Sequence, residues 1–188
     1  MMKKKKPGFT LMEMIIALAL TVTVLGITSS MFITGNKVFS DSDVKTTLQM
    51  EGQAIQEKIS DIGMQATGIN DVIVNTNQNN QMNSIQIKSY DTVGTLRNFV
   101  IEKQDSGNVY KDGSTIYKLL VDNKLVSSNI KSVTISDDII TAANSELDIK
   151  TNLLKNINSI EFNIVLRKEK GYGDIEQTIN FRVTFRNK

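Results

Sequence analysis

The chain has 188 residues, a formal net charge of +2, 40% hydrophobic and 22% charged residues, and neither histidine nor cysteine. That composition excludes Ser-His-Asp and Cys-His triads, histidine- or thiolate-bound zinc and disulfides, and the length suits one anchor with one modest soluble core. The positive charge is local: four of the 22 basic residues are Lys3, Lys4, Lys5 and Lys6, and without them 18 face 20 acidic ones, a balance of −2 that gives no support to nucleic-acid binding by the remainder.

In chain order, the four lysines precede Pro7-Gly8-Phe9-Thr10-Leu11-Met12-Glu13, and no ionisable side chain follows until Lys37. Met14 to Thr34 is 21 residues, which at about 1.5 Å per residue matches a hydrocarbon core of about 30 Å. By the positive-inside rule the lysines lie in the cytoplasm and the downstream head outside it. Three readings of this N-terminus compete. A secretory signal peptide could end at Thr28-Ser29-Ser30, but its apolar run would exceed the usual ~7 to 15 residues. A plain signal anchor accepts the length and leaves Pro7-Gly8 and Glu13 unexplained. The third is a short leader removed from an anchor that is kept.

Gly8-Phe9-Thr10-Leu11-Met12-Glu13, followed by Ala17-Leu18-Ala19-Leu20, resembles the N-terminus of type IV prepilins and of the pseudopilins of type II secretion and competence systems. The resemblance implies that a prepilin peptidase cuts between Gly8 and Phe9 and methylates the new N-terminal Phe9. It also implies that Glu13 pairs with the Phe9 ammonium of a neighbouring subunit during assembly. The chemistry agrees, because an ionised carboxylate costs about 2.5 to 3.5 kcal/mol at the centre of a membrane helix, and near the edge of an apolar assembly it needs a cation. In an isolated subunit Glu13 can instead reach the headgroups.

Beyond the span, Val44, Leu48, Ile55, Ile59, Ile62 and Ala66 recur at helical spacing, so the helix is expected to continue as an amphipathic one through Ile62, with Gly63 and Gly68 as stop signals. Gly26, Gly35 and Gly52 mark either bends or close packing between helices. The only proline, Pro7, belongs to the leader, so the helix-breaking proline of many pilins is missing. Asp61 to Gly68, and the ending Phe181 to Asn187, resemble the minor-pilin group related to J-type pseudopilins.

Asn75 to Asn83 is almost all Asn and Gln and reads as an exposed helix-to-sheet loop. Six strands of period two are expected, at 84–90, 96–103, 115–121, 131–136, 157–167 and 175–185, with turns at 91–94, 105–108, 112–113, 122–123 and 171–174. Linked without helix-length crossovers, they pair antiparallel. The expected architecture is α+β and type IV pilin-like, a long N-terminal helix, transmembrane then amphipathic, packed on a C-terminal antiparallel sheet like a ladle. Its parts are a leader at 1–8, the transmembrane and assembly half of the helix at 9–36, the amphipathic half at 37–68 and a β-rich head at 69–188.

Arg167, Lys168, Lys170, Arg182 and Arg186, with Lys188, could form one basic face suited to DNA phosphates, or an ordinary charged sheet surface with Glu161, Glu169, Asp174 and Glu176 interspersed. Asp41 with Asp43, and Asp137 with Asp138, lack calcium-loop spacing and read as helix surface and turn. No catalytic residue, metal site or cofactor is expected. The expected function is structural: a minor pilin or pseudopilin in a type IV pilus-like filament, with the peptidase, other pilin subunits, the membrane and, indirectly, an assembly platform and ATPase as partners. A head at the filament tip that binds DNA, a secreted substrate or a host surface is the alternative, and a monomeric anchored domain a third.

Overall fold

The computed structural model describes residues 8–78, 80–170 and 173–186. It comprises two compact units, Met1–Asp43 and Val44–Lys188, and helix α1, Leu11–Met64, contributes to both. In the first unit every residue from Gly8 to Thr34 is exposed, including Leu18, Leu20, Leu25 and Phe32. Three of its hydroxyls are satisfied locally: Thr21, Thr23 and Thr28 each donate to the carbonyl four residues earlier, at 2.8 Å. Such back-bonding gives a hydroxyl a partner where the surroundings of the helix supply no water.

The second unit contains the rest of α1 and a seven-stranded antiparallel sheet in sequential order, β1 (Ala66–Asn75), β2 (Gln81–Tyr90), β3 (Leu96–Val109), β4 (Thr115–Val121), β5 (Lys124–Ile135), β6 (Ser159–Lys170) and β7 (Gly173–Thr184). Between β5 and β6 lie α2 (Asp137–Ala143) and α3 (Leu147–Asn156), both packed against β1, while β2 also approaches β5. Val44, Leu48, Ile55, Ile59 and Ile62 of α1 share one buried cluster with Ile85, Ile87, Ile101, Leu119, Ile130, Phe162 and Phe181 of the sheet. The alternation anticipated for β6 and β7 holds, with Ile160, Phe162, Ile164 and Leu166 buried between more exposed neighbours, and Phe162 stacks on Phe181 at 5.4 Å.

Several expectations change. Gly63 does not stop the helix: it sits inside its last turn, and a Cβ there would lie 1.8 Å from Val183 Cγ1. The end is made instead by β2, where the Ser89 hydroxyl donates to the Ile62 carbonyl at 2.6 Å and the Tyr90 N–H to the Gln65 carbonyl at 3.3 Å. Gly68 lies in β1, at a register shift between Ala66 and Gly68, and Ala66 begins that strand rather than extending the helical stripe. Of the three glycines expected inside the helix, Gly52 is a close-packing position, its added Cβ meeting Ile179 Cδ1 at 2.8 Å, whereas Gly26 and Gly35 have nothing within 4 Å.

The Asn- and Gln-rich stretch is a β1–β2 connection rather than a helix-to-sheet loop, with a 3-10 turn at Thr76–Gln78. β1, α2 and α3 were not anticipated. α3 buries only Leu154 and α2 spans 7 residues, so neither presents a stripe long enough to read as periodicity. The turn expected at 122–123 is present, Asp122 and Asn123 having φ of 50° and 61°, the backbone of the tight hairpins that such residues tolerate. The expected turn at 171–174 falls partly outside the described residues.

Candidate functional site

The N-terminal segment is built around one local motif. Gly8, Phe9 and Thr10 are non-helical and exposed, and α1 begins at Leu11. Thr10 is the N-cap: its carbonyl accepts the Met14 N–H at 3.3 Å, and its hydroxyl accepts the Glu13 N–H at 3.2 Å. Glu13 Oε2 closes the box by accepting the Thr10 N–H at 2.8 Å and the Thr10 hydroxyl proton at 2.9 Å. This reciprocal Thr-x-x-Glu arrangement satisfies helix-start donors that would otherwise lack partners, and it places a carboxylate at the positive end of the helix dipole. The Thr10-to-Glu13 spacing is the sequence signal that would have revealed it.

Phe9 is 84% exposed, and a Cβ on Gly8 would meet nothing within 4 Å. Packing therefore does not require glycine at position 8. Lys3, Lys4, Lys5 and Lys6 lie outside the described residues.

The basic residues of the head do not form one face. Register places Arg167 opposite Glu176 and Arg182 opposite Glu161 on one side of the final hairpin, whereas Lys168 and Lys170 belong to alternate positions, opposite Ile175 and Gly173. Arg167 and Arg182 are six residues apart in register, roughly 20 Å along the strands. Arg182 binds Glu161 at 2.6 Å, and Arg186 is exposed just past β7. Lys188 lies outside the described residues.

Arg167 is buried rather than displayed. Its guanidinium lies over the Tyr110 ring at 4.3 Å, bonds Asp112 at 2.7 Å and Asp174 on its two terminal nitrogens, and has Glu169 and Glu176 within 4 Å. The Tyr110 hydroxyl donates back to the Arg167 carbonyl at 3.0 Å. Asp112 is held well below the usual carboxylate range, first by the Ser114 hydroxyl and amide and then by Arg167. Burial pushes the Tyr110 phenol up to about 12. The arrangement ties the β3–β4 loop to the β6–β7 hairpin, a structural use of a cation for which the sequence offered a phosphate-binding face or an ordinary charged sheet surface.

A second polar tie fastens helix to sheet: Glu51 accepts from the Ser127 hydroxyl at 2.8 Å and from Asn129 Nδ2 at 2.9 Å. Asp137 and Asp138 open the first turn of α2, where the helix dipole favours acids. Among the described residues no group of His, Cys, Asp or Glu is arranged to hold a metal.

The model of the prokaryotic N-terminal methylation motif matches residues 3–29. No curated protein and no solved structure matches the chain. The matched residues contain the Thr10–Glu13 cap and most of the apolar run, and they do not reach 61–68 or 181–187.

Proposed function

We propose that this chain, whose N-terminal methylation motif marks a type IV prepilin or pseudopilin precursor, is a minor subunit of a pilus-like filament. Residues 1–8 are the leader, prepilin peptidase cuts between Gly8 and Phe9, and Phe9 becomes the methylated N-terminus. Residues 9–36 hold the subunit in the membrane with its N-terminus in the cytoplasm and its head outside, and 37–68 with 69–188 form the exported part. Other pilins, an assembly platform and an ATPase then carry it into the filament.

The observation that carries this reading is the contrast at Gly8. The residue sits in exposed, non-helical backbone, three positions before the helix begins, where an added Cβ would meet nothing within 4 Å. A glycine with no fold to serve, inside a matched processing motif, is supported as a residue read by a peptidase. The cleavage removes the four lysines and leaves a new ammonium on Phe9.

Glu13 is the second half of the proposal. In the single chain its carboxylate is occupied by Thr10. Assembly offers it the Phe9 ammonium of a neighbouring subunit, a stronger charge-assisted partner in an apolar filament core. The exposed, uncharged and mostly apolar surface of the span supports helix-to-helix packing there, since so large a patch has to be covered by lipid or protein.

The test is Gly8→Val in a host with prepilin peptidase. Blots against the head should show only the longer precursor, whereas wild type shows the cut form, and mass spectrometry of the latter should find N-methylated Phe9. Normal cleavage of the variant, or a wild-type N-terminus elsewhere than Phe9, would overturn the proposal.

A further inference from the structure

One hollow of the second unit is bordered by cations from three elements. Lys58 of α1, Arg97 of β3 and Lys124 at the start of β5 line a space of about 220 Å³, together with Phe99, Val121 and Asp122. Val121 is buried and Phe99 half-buried, so these two form its floor, while the three exposed cations form its rim. With three cations against one carboxylate, the lining carries a formal net charge of +2.

That carboxylate is already engaged within the chain. Asp122 sits in the β4–β5 turn with φ of 50°, where its N–H donates to the Val100 carbonyl at 2.8 Å and its Oδ1 accepts the Val100 N–H at 3.0 Å. Its Oδ2 holds Arg97 at 3.0 Å, and the Arg97 guanidinium lies over the Phe99 ring at 4.1 Å. Turn, carboxylate and ring together hold a planar donor fork in place beside the hollow, so little freedom remains to be lost when it takes a ligand. The side chains of Lys58 and Lys124 enter no ion pair among the described residues. Glu57 and Asp61, the acids flanking Lys58 on α1, border a different hollow.

We propose that this hollow binds a phosphate monoester, with the phosphate among Lys58, Arg97 and Lys124 and the organic part against Phe99 and Val121. The charges match, since a phosphate monoester carries about −1.5 to −2 at pH 7 and the lining +2. A carboxylate would answer only one of the two lysines. An apolar floor with a few placed charged groups is also the general build of a small-molecule site. The proposal is independent of leader cleavage and of filament assembly.

The test uses full-length protein in an uncharged detergent at fixed ionic strength, titrated calorimetrically with phenyl phosphate, inorganic phosphate or benzoate. Phenyl phosphate should bind several-fold more tightly than either of the others, because inorganic phosphate leaves the floor uncovered and benzoate brings a single charge. Lys58→Gln with Lys124→Gln should weaken phenyl phosphate by about tenfold or more, as two charge-assisted contacts are lost. Lys88→Gln with Lys155→Gln removes the same charge from another hollow and should change the affinity by less than about twofold. Arg97→Lys keeps the charge but not the stacked fork and should weaken binding several-fold, with circular dichroism confirming folded heads. No binding up to about 10 mM, no preference over benzoate or inorganic phosphate, equal losses in the two lysine pairs, or wild-type affinity in Arg97→Lys would each overturn the proposal.

Discussion

At the scale of single residues, chemistry that reads alike in the sequence separates by neighbours. Arg167 and Arg182 occupy equivalent alternating positions on one hairpin, yet Arg182 is exposed with one carboxylate, and Arg167 is buried under Tyr110 among four. Nothing in the local sequence of β6 and β7 distinguishes them, because Asp112 and Tyr110 arrive from a loop more than fifty positions before Arg167. Arg167→Met should therefore lower the thermal midpoint of the head at pH 7 by several degrees, a loss of about 1 kcal/mol being worth roughly 2 to 4 °C in a domain of this size. The acid dependence has a definite sign. Asp112 has a folded-state pKa below its unfolded one, so its contribution is present above about pH 3.9 and is lost as the pH falls towards the folded value. The gap between wild type and Arg167→Met should narrow below about pH 4, because part of Asp112's stabilisation comes through Arg167; a gap that is constant with pH would contradict this coupling. Thr10 and Glu13 are the opposite case, legible from spacing alone because a capping box involves only one turn of chain.

At the scale of elements, periodicity marked what is long and strongly patterned and missed what is short. The expected helix of 9–62 and the observed Leu11–Met64 nearly coincide, since the buried positions from Val44 to Ile62 repeat at the helical interval. Its glycines were less legible, because their meaning depends on what lies opposite. Gly63 fits only because its hydrogen meets Val183 on β7, so Gly63→Ala should destabilise the head by about 1 to 3 kcal/mol as an overpacked contact. The double variant Gly63→Ala, Val183→Ala should recover part of that loss, measured by denaturant unfolding. Additive losses in the double variant would show that the cost is not the steric contact. α2 and α3 were hidden for a related reason: they bury few side chains, and what holds them is β1, whose first residues, 66–68, fell in the expected helical half and whose remainder was assigned no element.

At the scale of the whole molecule, the chain combines an apolar helical segment that buries nothing within the protein and a second unit with its own core. The fragment Val44–Lys188 should accordingly fold cooperatively and stay soluble without detergent, while the full chain should need detergent or lipid. A fragment with no sharp unfolding transition would show that the core depends on the preceding helix. The sequence by itself determined the membrane-competent run, the cluster of lysines before it, the N-terminal methylation motif and the α+β class, because each rests on composition or spacing over consecutive residues. Only the tertiary structure decided that Arg167 is an internal tie, that Gly52 and Gly63 are contact points, and that Lys58, Arg97 and Lys124 border one hollow. Those properties belong to pairs of segments far apart in the chain, and which segment lies opposite which is settled when the sheet closes over the helix, not by the order of residues within either one.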